Sequence, residues 1–126
     1  MEEDQLEILP ITGTPMVQEI TTKEYLINID QPIEEASAFR EAFMVTRNAT
    51  EKDTIRVVIN TPGGYASTAT QLCNYLLKTK AKTIAEVQEA CSAGSIIAMH
   101  CDKIETNLFS FMMIHSLNSG VSGNVS

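Results

Sequence analysis

The chain has no tryptophan, and its 126 residues include only three cysteines, four prolines and six glycines. Cys73, Cys91 and Cys101 are odd in number and lack C-x-x-C spacing, which excludes a disulfide framework and a zinc ribbon; they read as reduced packing residues. Basic residues are scarce, nine against sixteen acidic ones for a net charge of −7, with no Lys/Arg cluster. That balance excludes an electrostatic nucleic-acid surface. No apolar run reaches membrane-spanning length, and no basic segment precedes a short apolar one, so a soluble cytoplasmic protein without membrane contact is expected. Neither G-x-x-x-x-G-K-[ST] nor G-x-G-x-x-G occurs, no metal-ligand spacing stands out, and no internal repeat is present, so no cofactor or metal is expected. The sequons at Asn48 and Asn124 carry little meaning in such a chain, and 9–13 matches a sortase sorting pentapeptide by letter only.

What is present is an apolar fraction of 44%, enough for one globular domain with a core. Residues 1–22 are acidic, then Pro/Thr-rich, and read as a flexible or partner-contacting arm ahead of a domain spanning 23–126. A first strand is expected over 24–29. Asp30-Gln31-Pro32 then opens a helix, with Asp30 as cap and Ala36, Phe39 and Phe43 at helical spacing. The β-branched run 54–60 suits a strand covered on both faces. A helix is expected over 65–80, with Ala69, Leu72, Cys73, Leu76 and Leu77 on one stripe. A strand over 83–87, a helix over 93–101 and two short apolar runs, 104–108 and 109–114, follow. Alternation of strand and helix in this order predicts an α/β fold around a largely parallel sheet.

Three features fall at the ends of successive strands, where a parallel sheet gathers functional groups. The first is Gly63-Gly64. The second is Ser92, set among small residues at a strand-to-helix junction, where the helix N-terminus offers free N–H groups. The third is His115, after an apolar strand. Each has an ordinary structural reading: turn glycines, an N-cap serine, a satisfied histidine. Jointly they fit acyl transfer. Ser92 is the candidate nucleophile and His115 its base, and the N–H groups of Gly64 and Ala93 form a candidate oxyanion hole. The usual G-x-S-x-G elbow is absent, because Ala90 stands two residues before Ser92.

Asn60-Thr61-Pro62-Gly63-Gly64, Ala90-Cys91-Ser92-Ala93-Gly94 and Met113-Ile114-His115 closely resemble, in order and spacing, three signature blocks of the Clp protease proteolytic subunit. The resemblance runs from about Tyr25 to the C-terminus. It implies the ClpP/crotonase-like spiral of ββα units and Ser92 and His115 as catalytic pair. It also implies Gly64 and Ala93 as the hole, and a substrate strand involving Gly63, Ser119, Gly120 and Val121. The implied substrate is unfolded polypeptide, and the implied partners are copies of the chain in a homo-oligomeric ring and an AAA+ unfoldase.

The sequence also departs from that family. The family's triad has an aspartate well downstream of the histidine, whereas this chain ends eleven residues after His115 without an acidic residue, and the handle-helix region is lacking. Gln88 stands where the family usually has glycine, and Cys91 where it usually has alanine. The chain is therefore expected to be the N-terminal part of a longer protein, or a short relative in which Asp102 or Glu105 orients the histidine, or a non-catalytic assembly subunit. Neutralising the orienting carboxylate lowers triad kcat by about 10⁴, so weak or absent activity is expected of the chain as given. A crotonase-like acyl-CoA enzyme is the further alternative, but it calls for acidic residues beside the hole.

Overall fold

The computed structural model describes residues 22–114 with their side chains. Outside them it describes the backbone of four short strands: β1 (Leu6–Leu9), β2 (Val17–Ile20), β7 (Leu117–Asn118) and β8 (Asn124–Val125). The body consists of β3 (Glu24–Ile29), α1 (Arg40–Asn48), β4 (Thr54–Thr61), α2 (Ala66–Lys78), β5 (Lys82–Cys91), α3 (Ala93–Met99) and β6 (Lys103–Met113). The four strands pair in the order β3-β4-β5-β6, all parallel. β1 pairs antiparallel with β2 inside the segment expected as an arm, and β7 pairs antiparallel with β8.

Alternation along the strands builds the core. Ile27 and Ile29 of β3, Ile55, Val57 and Ile59 of β4, and Ala85 and Val87 of β5 point to one face. They join Phe43, Leu72, Leu76 and Ile97 from the helices in one cluster. Phe43 meets Tyr75 edge-on, ring centroids 5.1 Å apart, which locks α1 against α2. The apolar stripe of α2 holds except at Leu77, which is 65% exposed.

The opposite face corrects the expectation for 54–60. β4 alternates buried and half-buried residues, so among the described residues the second side of the sheet is only partly covered. Register places Arg56 there amid three carboxylates, its guanidinium 2.7 Å from Glu24, 3.2 Å from Glu86 and 2.7 Å from Glu105. The Arg56 hydrogen bond holds the Glu105 carboxyl below its ordinary 4.5. A carboxyl depressed in the folded state stabilises above its unfolded pKa, and that contribution is lost as pH falls through the folded value. Arg56→Gln is therefore expected to lower the urea midpoint at pH 7, the deficit shrinking towards pH 3. A deficit equal at both pH values contradicts this.

Three further boundaries differ from the sequence reading. The helix expected at Asp30-Gln31-Pro32 begins only with a 3-10 turn at Ala36–Phe39, because Ile33 is held extended by a parallel bridge to Gly64. β5 runs on to Cys91, four residues beyond the expected end, carrying the chain directly into Ser92. The apolar runs 104–108 and 109–114 merge into one strand that ends at Met113 and whose register on β5 breaks between Thr106 and Phe111. There the Ser110 hydroxyl donates to the Val87 carbonyl at 2.6 Å, while Leu108 and Phe109 stand out at 88% and 89% exposure.

Candidate functional site

β4 ends at Thr61, and Gly63-Gly64 follows. The Ile33 N–H donates to the Gly63 carbonyl at 2.8 Å, and the Tyr65 N–H donates to the Ile33 carbonyl at 3.0 Å. A trans peptide points its N–H opposite to its C=O, so the Gly64 N–H is directed away from Ile33. Only glycine fits here. Gly64 has φ +153°, and a Cβ would lie 2.6 Å from the Ile33 nitrogen. Gly63 has φ +118°, and a Cβ there would lie 2.9 Å from the Ser92 Cβ and 3.5 Å from its Oγ. The glycine turn is thus packed directly against the serine.

Ser92 sits between β5 and α3 at φ 54°, ψ −118°, the sole non-glycine residue with positive φ among the described residues. Its backbone is held from two sides. The Ser92 N–H donates to the Met113 carbonyl at 2.7 Å. Its carbonyl accepts from the Ser95 N–H at 3.0 Å, the Ile96 N–H at 3.3 Å and the Ser95 hydroxyl at 2.6 Å. The capping role considered for Ser92 is not realised, since its side chain makes no cap hydrogen bond. A half-buried hydroxyl on a strained turn, left out of the helix cap, is the pattern of a nucleophile elbow. The Ser92 carbonyl points into α3, so by the same trans-peptide argument the Ala93 N–H points out of the helix start. Neither the Gly64 nor the Ala93 N–H has an acceptor among the described residues.

His115, Ser119, Gly120 and Val121 lie outside the described residues. What is described is the approach to them: Met113, two residues before His115, is the register partner of Cys91. The acids weighed for orienting the histidine are occupied elsewhere. Asp102 accepts from the Thr83 N–H at 2.9 Å near the start of β5, and Glu105 belongs to the Arg56 cluster. The alternative hydroxyl of Ser95 is fully buried and donates to the Ser92 carbonyl, so it does not compete with Ser92.

The thiol beside the serine is not a competing nucleophile either. Cys91 is 4% exposed; burial, then the Glu89 carboxylate 3.5 Å from Sγ, push its pKa up, which disfavours the thiolate. Burial also pushes Cys73 up to about 11 and Cys101 to about 12. Native protein at pH 8 is accordingly expected to leave Cys91 unalkylated by iodoacetamide over a time that saturates the urea-unfolded chain. Selective alkylation of Cys91 contradicts this.

Two grooves, of about 350 Å³ between β3 and α1 and about 320 Å³ between the ends of α1 and α2, lie away from Ser92. Among the described residues no group of three His, Cys, Asp or Glu side chains is placed to hold a metal ion, and no helix is long and apolar enough to cross a membrane.

The fold has clear relatives among solved structures. The 1510-N membrane-bound stomatin-specific protease, as a serine-to-alanine mutant, superposes with a TM-score of 0.61 at 20% identity, over 81% of this chain and 53% of that one. A lysine-to-alanine mutant of the same protease, in complex with a substrate peptide, gives 0.56 at 24% identity, over 68% of this chain and 41% of that one. This chain therefore spans about half the length of the structures it matches or less. No curated protein matches it. At such identities the likeness establishes the α/β fold. The sequence goes further: the Clp protease family pattern matches residues 14–126, a span that takes in the glycine turn, Ser92 and His115, and the chain belongs to the Clp protease family.

Proposed function

We propose that the chain is a subunit of a serine endopeptidase acting on unfolded polypeptide in the cytoplasm by Ser/His acyl-enzyme chemistry. The observation that supports this most is the backbone of Ser92, held at φ 54° with the glycine turn packed on it. The Ser92 Oγ attacks the scissile carbonyl, and His115 takes the hydroxyl proton. The resulting oxyanion is stabilised by the N–H groups of Gly64 and Ala93. His115 then protonates the leaving amine, and water, activated by the same base, releases the acyl group from Ser92. Preorganised donors of this kind contribute about 10² to 10³ in rate.

The reading, as the family resemblance implies, has an extended chain bound through its backbone, with Gly63 beside the serine and 119–121 contributing a pairing strand; such bonds read little sequence. ATP dependence through an AAA+ unfoldase and assembly into a ring complete the reading, as the family resemblance implies.

The test is degradation of a disordered substrate such as casein, followed by mass spectrometry of fragments. Wild type is expected to cleave it slowly, at about 10⁻⁴ of a complete triad's rate. Ser92→Ala and His115→Ala should not cleave it, and a folded substrate without an unfoldase should survive. Cleavage that persists in Ser92→Ala overturns the assignment. Absence of cleavage, with no covalent labelling of Ser92, is the result shared by a non-catalytic assembly subunit and by the N-terminal part of a longer peptidase, and repeating the test on a longer parent chain separates the two.

A further inference from the structure

We infer that Thr61 is a positioning residue that holds the two halves of the oxyanion hole in register, the inference resting on the peptidase reading above. Thr61 closes β4 and is fully buried. Its hydroxyl donates to the Gln31 carbonyl at 2.7 Å and accepts from the Gly63 N–H at 3.2 Å. Gln31 lies in the bend two residues before Ile33, and Ile33 in turn brackets Gly64 through its bonds to Gly63 and Tyr65. One hydroxyl therefore ties together both strands of the bridge that orients the Gly64 N–H. A backbone N–H that loses its buried acceptor has to move to find another.

The methyl of the same side chain does the second job. Gly94 approaches Thr61 so closely that a Cβ on it would lie 2.6 Å from the Thr61 Cγ2. Gly94 follows Ala93 in the first turn of α3, and Ala93 supplies the other donor. Thr61 thus touches the glycine turn through oxygen and the helix start through carbon. The two contacts are separable by substitution. Thr61→Val keeps the branched apolar contact and deletes the hydroxyl. Thr61→Ser keeps the hydroxyl and deletes the methyl.

The experiment compares wild type, Thr61→Val and Thr61→Ser by two measurements. The first is hydrogen exchange of the assigned Gly63 amide by NMR. Thr61→Val is expected to raise its exchange rate about tenfold or more, whereas Thr61→Ser stays near wild type, as expected when a single acceptor is removed or kept. The second is the saturation kinetics of Ser92 labelling by a fluorophosphonate. Thr61→Val should lower the limiting labelling rate by about tenfold to a hundredfold with the half-saturating probe concentration unchanged, since a misplaced donor acts on the reaction and not on encounter. Thr61→Ser should recover most of that rate.

Equal limiting rates in wild type and Thr61→Val overturn the inference while leaving the peptidase reading intact. A shift confined to the half-saturating concentration also overturns it. No labelling of wild type sinks the peptidase reading itself. In that case unchanged Gly63 exchange in Thr61→Val removes the positioning role as well, and accelerated exchange confines Thr61 to holding the turn.

Discussion

Gly64→Ala is expected to lose stability and Ser92 reactivity together. A Cβ at Gly64 would be driven into the backbone of Ile33, 2.6 Å from its nitrogen and 2.9 Å from its carbonyl carbon, at a φ of +153° that L side chains rarely adopt. The chain relieves this only by opening the Ile33–Gly64 bridge, which gives up hydrogen bonds of 2.8 and 3.0 Å. Backbone strain of about 1–3 kcal/mol and hydrogen bonds of about 1 kcal/mol each bring the cost to about 3–5 kcal/mol. The same movement withdraws one oxyanion donor, so fluorophosphonate labelling of Ser92 should slow by about 10² to 10³. Urea unfolding and labelling rates measure the two effects. A wild-type urea midpoint in Gly64→Ala contradicts the account of the bridge. A wild-type labelling rate in folded Gly64→Ala contradicts the role of its N–H.

The second large effect separates chemistry from stability at one position. Ser92→Gly should abolish covalent labelling and raise stability relative to Ser92→Ala by about 1 kcal/mol, because glycine adopts φ 54°, ψ −118° freely and alanine does not. Both variants lose the hydroxyl, so only backbone strain distinguishes them. The comparison by urea unfolding thus tests directly whether the nucleophile is held against its own preference, the trade expected where a site is built for reaction. Equal midpoints for the two variants, or a lower one for Ser92→Gly, contradict strain at Ser92.

The parts of this arrangement legible from sequence are those set by short-range patterning. The run 24–29 is the β3 strand residue for residue, and β4 exceeds its expected span by Thr61 alone. Leu72, Cys73 and Leu76 are buried as their spacing requires. The glycine pair, Ser92 and the start of α3 fall in the expected order at the ends of β4 and β5.

What local pattern did not carry is what distant residues impose. Asp30 and Pro32 look like a helix opening, but Ile33 is taken by Gly64, thirty-one residues on, and the helix starts later. Arg56 sits within a β-branched run that reads as doubly covered. Its three carboxylates come from three other strands, so only parallel register reveals the polar face. The Ser92 cap reading likewise failed on geometry, since Ser92 stands at positive φ and its side chain makes no cap hydrogen bond. Thr61 is the residue that sequence reasoning passed over. It lay inside a quoted signature block, and the signal in hand was a hydroxyl placed immediately before a Pro-Gly-Gly turn, where side chains commonly bond back to the turn's own backbone.

The most direct test of the central claim, that Ser92 is an activated nucleophile in a preformed site, is intact-mass spectrometry after incubation with a fluorophosphonate. Wild type and Ser92→Ala are run side by side, and the adduct is located by peptide mapping. The account predicts one adduct on wild type, mapped to Ser92 and lost in the variant. No adduct on folded wild type, or an adduct that survives in Ser92→Ala, contradicts it.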